Sequence, residues 1–403
     1  MTAASATPAL PTARPAGCPF DPPETYAALR ETAPTSQVRC PAGMDAWLVT
    51  RYRDVRAVLA DRTMSSRGAS SVHVNPNADL DEEVSPGSII QLDGAEHSRI
   101  RKMVIAEFTV RRVEAMRGYV QELVESHLDA MLARPGEADL VRDFALPIPS
   151  LVICELLGVP YADRARFQRQ SGLLVSTDTT REEGQRAYDE LSTFLAGLFT
   201  DKQRNPQDDL FSRLISRGES TGDPLTMEEL VVLGLSLLVA GHETTANMIA
   251  LSTLVLLDHP GQRDVVLSAP ERAVEELLRY LSVVQFGVLR YATADVQVGD
   301  RAVKAGEWLV AALNSANRDE DLFPGADKLD FHRDSPRTHV AFGFGAHQCI
   351  GQQLARVELQ EALTRLFRRV PDLRLAVPRE SLDFKHNTLV YGVRELPVAW
   401  GRE

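Results

Sequence analysis

The stretch from Thr226 to Leu257 limits most what this chain can fold into. Thr226 and Glu229 stand in capping-box spacing, which starts a helix there, and Pro260 keeps it from continuing. A helix of roughly 30 residues rises about 45 Å at 1.5 Å per residue, enough to cross a whole domain. Its middle, Leu230 to Gly241, is apolar nearly all round and therefore buried, yet it is too short, and too soon followed by His242-Glu243, to span a bilayer. Inside this buried helix, Ala240-Gly241-His242-Glu243-Thr244-Thr245 puts a glycine, an acid and hydroxyls where a core favours leucine. A mid-helix glycine costs about 1 kcal/mol unless something must approach its backbone. Structural accounts exist for the other two: Thr244 can bond back to the Ala240 carbonyl, and Glu243 can enter an ion pair.

A second stretch, Phe342-Gly343-Phe344-Gly345-Ala346-His347-Gln348-Cys349-Ile350-Gly351, is a glycine-punctuated loop leading into a helix. That helix is predicted from Ala355, Leu359, Ala362, Leu363 and Leu366, and it ends before Pro371. Cys349 is thus expected at a helix N-terminus, where free N–H groups and the dipole favour the metal-ligating thiolate. The commonest account of a lone cysteine is a small buried hydrophobe. Zinc would need Cys-x-x-Cys partners, which Cys18, Cys40 and Cys154 do not offer; one thiolate without a second ligand fits a metal already held by a macrocycle. Gly343, Gly345 and Gly351 let the backbone turn sharply and lie against a flat, bulky object.

The chain as a whole is ordinary for a soluble globular protein, with 44% hydrophobic and 25% charged residues. Its net charge of −12 argues against nucleic acid as a partner, and its four cysteines show no pairing pattern, as in a reducing compartment. Residues 1–17 are Ala/Thr/Pro-rich with no apolar run fit for a signal or anchor; they are expected to be a disordered arm, with 18–403 as one domain. Residues 62–90 and 171–184 read as loops, and Phe144–Pro149 as a break between helices. Short strands are expected at Ala46–Thr50, around Val296, Val298 and Val303 with a Gly299-Asp300 turn, at Trp308–Val310, and near Leu373, Leu375, Val398 and Trp400. His97 with Arg101, and Glu276 with Arg279, each share a helix face.

In chain order, His97-x-x-x-Arg101, Ala240-Gly241-x-Glu243-Thr244, Glu276-x-x-Arg279 and Phe342-x-x-Gly-x-His-x-Cys349-x-Gly351 resemble the motifs of the cytochrome P450 superfamily. The likeness runs from about residue 18 to 400, with Gly94-Ala95 where the family often has Pro-Pro. The stretches 152–160 and 395–400 are similar to soluble actinobacterial members acting on polyketides, macrolides, statins or sterol-like molecules. The resemblance implies a cytochrome P450 fold, mainly α with a minor β region. It implies haem b with Cys349 as axial iron ligand, further haem contacts at Phe342, Gly351, Ala240 and Gly241, and propionate contacts at His97, Arg101, Arg290 and His339. Gly241 would leave room for dioxygen, Glu243 and Thr244 would relay protons, and Arg333 would join Glu276 and Arg279 in a structural brace. Residues 62–90 would cap the pocket and 171–184 form a mobile lid, with Leu237, Ala240, Val283, Phe286 and Val288 as lining.

The implied activity is a monooxygenase that inserts one atom of O2 into a lipophilic small molecule by hydroxylation or epoxidation. Electrons would come from NAD(P)H through ferredoxin and ferredoxin reductase as separate partners, since the chain has no Gly-x-Gly-x-x-Gly fingerprint. Arg99, Lys102, Arg111 and Arg112 could steer an acidic ferredoxin or be a solvated basic face. A cytoplasmic monomer without a membrane anchor is expected. Two alternatives stay open: a peroxide-driven peroxygenase, whose members typically replace the acid–alcohol pair kept here, and a haem-binding sensor or carrier, which would not need Glu243-Thr244.

Overall fold

The computed structural model describes residues 7–15, 17–67, 73–75, 83–160, 164–334 and 336–401. The chain forms two compact units, one from residues up to Val84 with Glu276–Cys349, the other from Ser85–Glu275 with Ile350–Glu403. Their boundaries fall inside a helix and inside the cysteine loop, so no linker composition marks them.

The first unit holds α1 (Thr25–Thr32), β1 (Thr35–Arg39), β2 (Asp45–Val49), α2 (Tyr52–Ala60), β3 (Met64–Ser65), β5 (Val288–Ala292), β6 (Val296–Val298), β7 (Arg301–Val303), β8 (Trp308–Ala311) and α12 (Leu313–Ala316). Its five-stranded sheet has the order β1-β2-β8-β5-β3; β2 and β8 are parallel, with Trp47 opposite Leu309, and the other pairs are antiparallel. Val49, Val55, Leu59, Leu309 and Ala311 form the core beneath it. Gly299, with φ of +58°, makes the expected β6–β7 turn. Residues 7–15 depart from the disordered arm expected of them: Ala9 bridges Arg39, the Leu10 N–H donates to the Arg39 carbonyl at 2.9 Å, and Leu10 is buried. Backbone bonds to Arg39, the Tyr26 hydroxyl on the Pro11 carbonyl and the buried Leu10 together fix this Pro/Ala-rich segment.

Arg279 is the centre of the brace. Nε and Nη2 donate to Glu276 at 2.8 and 2.7 Å, Nη1 to the carbonyls of Asn317 and Ala326, and Nη2 also to Lys328, so every guanidinium N–H is used. Arg333 Nε lies 3.3 Å from Glu276, completing the expected trio.

The second unit is helical: α3 (Gly94–Ile105), α4 (Val110–Leu132), α5 (Pro147–Leu157), α6 (Arg164–Val175), α7 (Arg181–Arg204), α8 (Leu210–Thr221), α9 (Met227–Asp258), α10 (Arg263–Ser268), the start of α11 (Pro270–Leu281), and α13 (Gln352–Arg369). A small sheet, β4 (Glu137–Asp139), β10 (Pro397–Ala399) and β9 (Arg374–Leu375), completes it. α9 starts with the expected capping box: Glu229 N–H donates to Thr226 Oγ1 at 3.1 Å and Thr226 N–H to Glu229 Oε2 at 2.8 Å. Among the described residues it alone is long and apolar enough to cross a membrane, and most of that apolar stretch is buried within the protein. Two expected loops are helical instead. The break at Phe144–Pro149 is a π-helical turn, Val141–Ala145, running into α5 with Pro147 at its first position. Of residues 171–184 only 176–180 connect helices, because Thr180 and Glu183 cap α7 while Ser171 and Leu173 complete α6.

On α13, Arg356 forks onto Glu275 at 2.6 and 3.0 Å, whereas the neighbouring Glu358 is fully buried with no hydrogen-bond partner at Oε2. Burial pushes its carboxyl well above the ordinary value of 4.5. Proton release then favours the unfolded chain, a cost absent below the unfolded-state value and growing as pH rises above it. Glu358→Gln should therefore raise the thermal midpoint relative to the parent at neutral pH, with a gain that fades toward about pH 4. An equal midpoint difference at both pH values would contradict a neutral, buried carboxyl.

Candidate active site

The cysteine loop is closed on itself. The Cys349 N–H donates to the Phe342 carbonyl at 2.9 Å, Gln348 N–H to Gly345 at 3.1 Å and Gly343 N–H to Val340 at 2.8 Å, around a 3₁₀ turn at Gly345–His347. Gly343 and Gly345 have φ of +68° and +74°. At Gly345 a Cβ would also strike the Leu59 carbonyl at the end of α2, and Arg56 of α2 lies 4.3 Å above the Phe344 ring. The loop is thus clamped to α2. After Cys349 the chain passes Ile350 and the N-cap Gly351 before α13 begins, so the cysteine precedes the helix rather than starting it. Of the four cysteines, only Cys349 is exposed; burial pushes the Cys40 thiol up to about 11.

The same unit places Arg290 and His339. Arg290 is buried on β5, with Nη1 donating to the Leu289 carbonyl at 2.8 Å. His339 is buried, its ring 6.1 Å from that of Phe342, and Nδ1 accepts the Ala341 N–H at 3.2 Å. The neutral ring therefore carries its hydrogen on Nε2, a donor suited to a carboxylate. Among the described residues no group of three or more His, Cys, Asp or Glu gathers to hold a metal ion. A single exposed sulfur on a clamped loop fits iron whose other ligands would come from a macrocycle.

In the second unit, α9 is buried along most of its length, but Ala240 is exposed and Gly241 and Thr244 are half-buried. One side of its polar turn is therefore open. Glu243 is buried; its Oε2 accepts from Asn247 Nδ2 at 3.2 Å and pairs with Lys385 Nζ at 3.5 Å, and His242 Nε2 lies 3.8 Å from Oε1. The Thr244 hydroxyl donates to the Ala240 carbonyl at 2.8 Å, leaving its lone pairs to accept. At Gly241 a Cβ would sit 2.9 Å from Ile153 Cδ1 and Cγ1, so its missing side chain admits α5. On α3, His97 is buried, and burial first and Arg101 second lower its proton affinity, leaving a neutral ring beside a cation.

The sequence reading missed Asn247 and Lys385. Asn247 lies one helical turn past Glu243 and was readable by that spacing; Lys385 comes from a distant segment with no local signal. In the basic cluster, Arg99 is paired with Glu229 and Asp223, and Arg112 with Glu107, while Lys102 and Arg111 are exposed. Of the expected cap at 62–90, residues 68–72 and 76–82 lie outside the described residues.

The Cytochrome P450 family model matches residues 270–380. Cytochrome P450-SU2 of Streptomyces griseolus is 48% identical, covering 97% of this chain and 96% of that protein. Vitamin D3 dihydroxylase, also of Streptomyces griseolus, is 44% identical over 98% of this chain and 97% of its own length. The crystal structure of CYP105P1 in complex with filipin I superposes with a TM-score of 0.90 at 42% identity, covering 98% of this chain and all of that one.

The Ile153 contact can be checked directly. Gly241→Ala should destabilise the fold by about 1–3 kcal/mol through overpacking, and Ile153→Ala in the same chain should recover part of the loss in thermal or urea unfolding. Additive losses would show that α5 is not what the glycine accommodates.

Proposed function

Because this chain belongs to the cytochrome P450 family of haem-thiolate monooxygenases, we propose that it inserts one oxygen atom of O2 into a bulky lipophilic metabolite by hydroxylation or epoxidation. The observation that carries the reading is Cys349, exposed on a self-closed glycine loop, with no cluster of three or more His, Cys, Asp or Glu to hold a metal ion among the described residues. Cys349 would ligate the haem iron; Arg290 and Arg101 with the imidazoles of His339 and His97 would hold the propionates, with Phe342, Gly351, Ala240 and Gly241 as further contacts. When bound, the haem supplies thiolate-ligated iron, whose electron-rich sulfur favours O–O cleavage.

The chain's own part is to bind the substrate and to move protons. Leu237, Val283, Phe286 and Val288 are the proposed apolar lining, and burying ligand surface contributes about 25 cal/mol per Å². Vitamin D3 and filipin I in the names of relatives support a large lipophile. Glu243, kept in place by Asn247 and Lys385, would relay a proton through its carboxyl. Thr244, whose hydrogen is committed to Ala240, presents lone pairs that orient the donor. That buried acid beside a hydroxyl favours oxygen-driven turnover over a peroxygenase or a sensor. Electrons would arrive from NAD(P)H through ferredoxin and its reductase, with Lys102 and Arg111 on the docking face. A cytoplasmic monomer fits the charge and composition.

Two measurements test this. Reduced protein under carbon monoxide should show the strongly red-shifted Soret band of thiolate ligation, and Cys349→His should lose it; a histidine-type band in the folded parent would refute Cys349 as ligand. Thr244→Ala should keep the haem and NADPH oxidation but lower product per NADPH by at least about tenfold, with hydrogen peroxide making up the difference, since proton-transfer groups contribute about 10²–10⁴-fold. Unchanged coupling would leave Thr244 as a back-bonded helix residue only.

A further inference from the structure

His242 has no part in the chemistry above, yet it is fully buried beside Glu243. Its Nδ1 lies 2.7 Å from the Leu238 carbonyl, its Nε2 lies 3.0 Å from Ser171 Oγ on α6, and Phe167 of α6 packs edge-on at 5.5 Å. Past Ser171, the end of α6 is pinned to residues 384–393. The Leu389 N–H donates to the Val175 carbonyl and Thr177 N–H to Asn387, both at 2.9 Å, and Ser176 bridges Thr388. That segment pairs with itself through Phe384 and Val393 and the 2.8 Å bond from Lys385 N–H to Gly392. Gly392 lies against the Asn247 carboxamide, which fills the space any side chain would need. Lys385 then returns to Glu243. Helix α9, helix α6 and residues 384–393 so form a closed ring, whose two polar joints on α9 are adjacent residues.

The proton arithmetic at His242 is restrictive. A carbonyl only accepts, so Nδ1 carries hydrogen, and in the neutral ring Nε2 is an acceptor for the Ser171 hydroxyl, at 3.0 Å the shorter of that hydroxyl's two contacts, the other being the Gln168 carbonyl at 3.2 Å. Burial lowers the ring's proton affinity; Glu243 and Lys385 are the facing charges, acting in opposite directions. With Ser171 seated, the Nε2 edge is occupied and Glu243 is left to Asn247 and Lys385. Without it, that edge is the nearest acceptor for a proton on Oε1, 3.8 Å away.

We propose that Ser171 and His242 are positioning residues forming a latch: Ser171 of α6 occupies the Nε2 edge of His242, so that Glu243 is held for proton delivery only while α6 is seated on α9. The latch rests on the reading of Glu243 as the proton-relaying acid. It couples enclosure by α6 to the state of the acid, so an unseated helix leaves the proton on His242 rather than at the open side of α9.

The test uses the holoenzyme as its diamagnetic ferrous carbon-monoxide complex, with ¹⁵N-labelled histidine. Ser171→Ala should move the His242 Nε2 resonance toward its protonated position and speed amide exchange across 164–175 and 384–393, while haem content and the spectral dissociation constant of a bound lipophile stay as in the parent. Product per NADPH should fall about three- to tenfold, the factor one lost hydrogen bond carries. His242→Gln, which can still meet Ser171, should retain most of the coupling that His242→Leu loses, and Ser171→Ala in the His242→Leu background should cost nothing more. Unmoved ring resonances and exchange in Ser171→Ala, or additive losses in the double variant, would overturn the latch. A loaded enzyme with no turnover would sink the functional reading instead, while the resonances and exchange rates would still decide the latch.

Discussion

An acid in the apolar middle of a long helix must find partners from beyond its own turn, because an ionised carboxylate taken out of water and left unpaired is strongly destabilising. Glu243 is such an acid, and much of the second unit is arranged around its needs. Asn247 supplies a donor from one turn on; Lys385 supplies the charge, which requires the 384–393 segment to lie along α9. Gly392 follows from that, since Asn247 already fills its side-chain position, and the pinning of α6 follows from the segment being there. One buried acid thereby fixes the course of the C-terminal chain.

The cysteine loop obeys a different constraint, that of presenting one sulfur from a rigid backbone. Its glycines show how one residue type serves separate ends. Gly343 is needed for its backbone angle, with nothing near its absent side chain; Gly345 for its angle and for the Leu59 carbonyl behind it. Gly351 has neither restriction from the protein, its nearest would-be contact being Phe108 at 3.9 Å. Gly241 is explained by the approach of α5. Rigidity here depends on the loop's own bonds and on its contact with α2, both within the first unit.

What was legible in the sequence was periodic or local. The capping box and length of α9, the Glu276–Arg279 pair and the β6–β7 turn follow from spacing and turn chemistry, and each is present; only the family resemblance puts Arg333 beside that pair. Polar composition misled at 171–184, where capping by Thr180 and Glu183 converts apparent loop into helix, and at 7–15, where backbone bonds to Arg39 and the buried Leu10 anchor the segment. Contacts between residues distant in the chain left no trace in any window of sequence: Lys385 with Glu243, Ser171 with His242, Ile153 with Gly241. Those are the contacts that give the open turn of α9 its electrostatics.

The most direct measurement is a turnover under ¹⁸O2 with NADPH, ferredoxin and reductase, using a lipophile that shifts the haem spectrum. One ¹⁸O atom should enter each product molecule, with none taken from labelled water, and Cys349→Ser should form no product. Product that carries no ¹⁸O, or that forms equally well in Cys349→Ser, would contradict a haem-thiolate monooxygenase built on this cysteine.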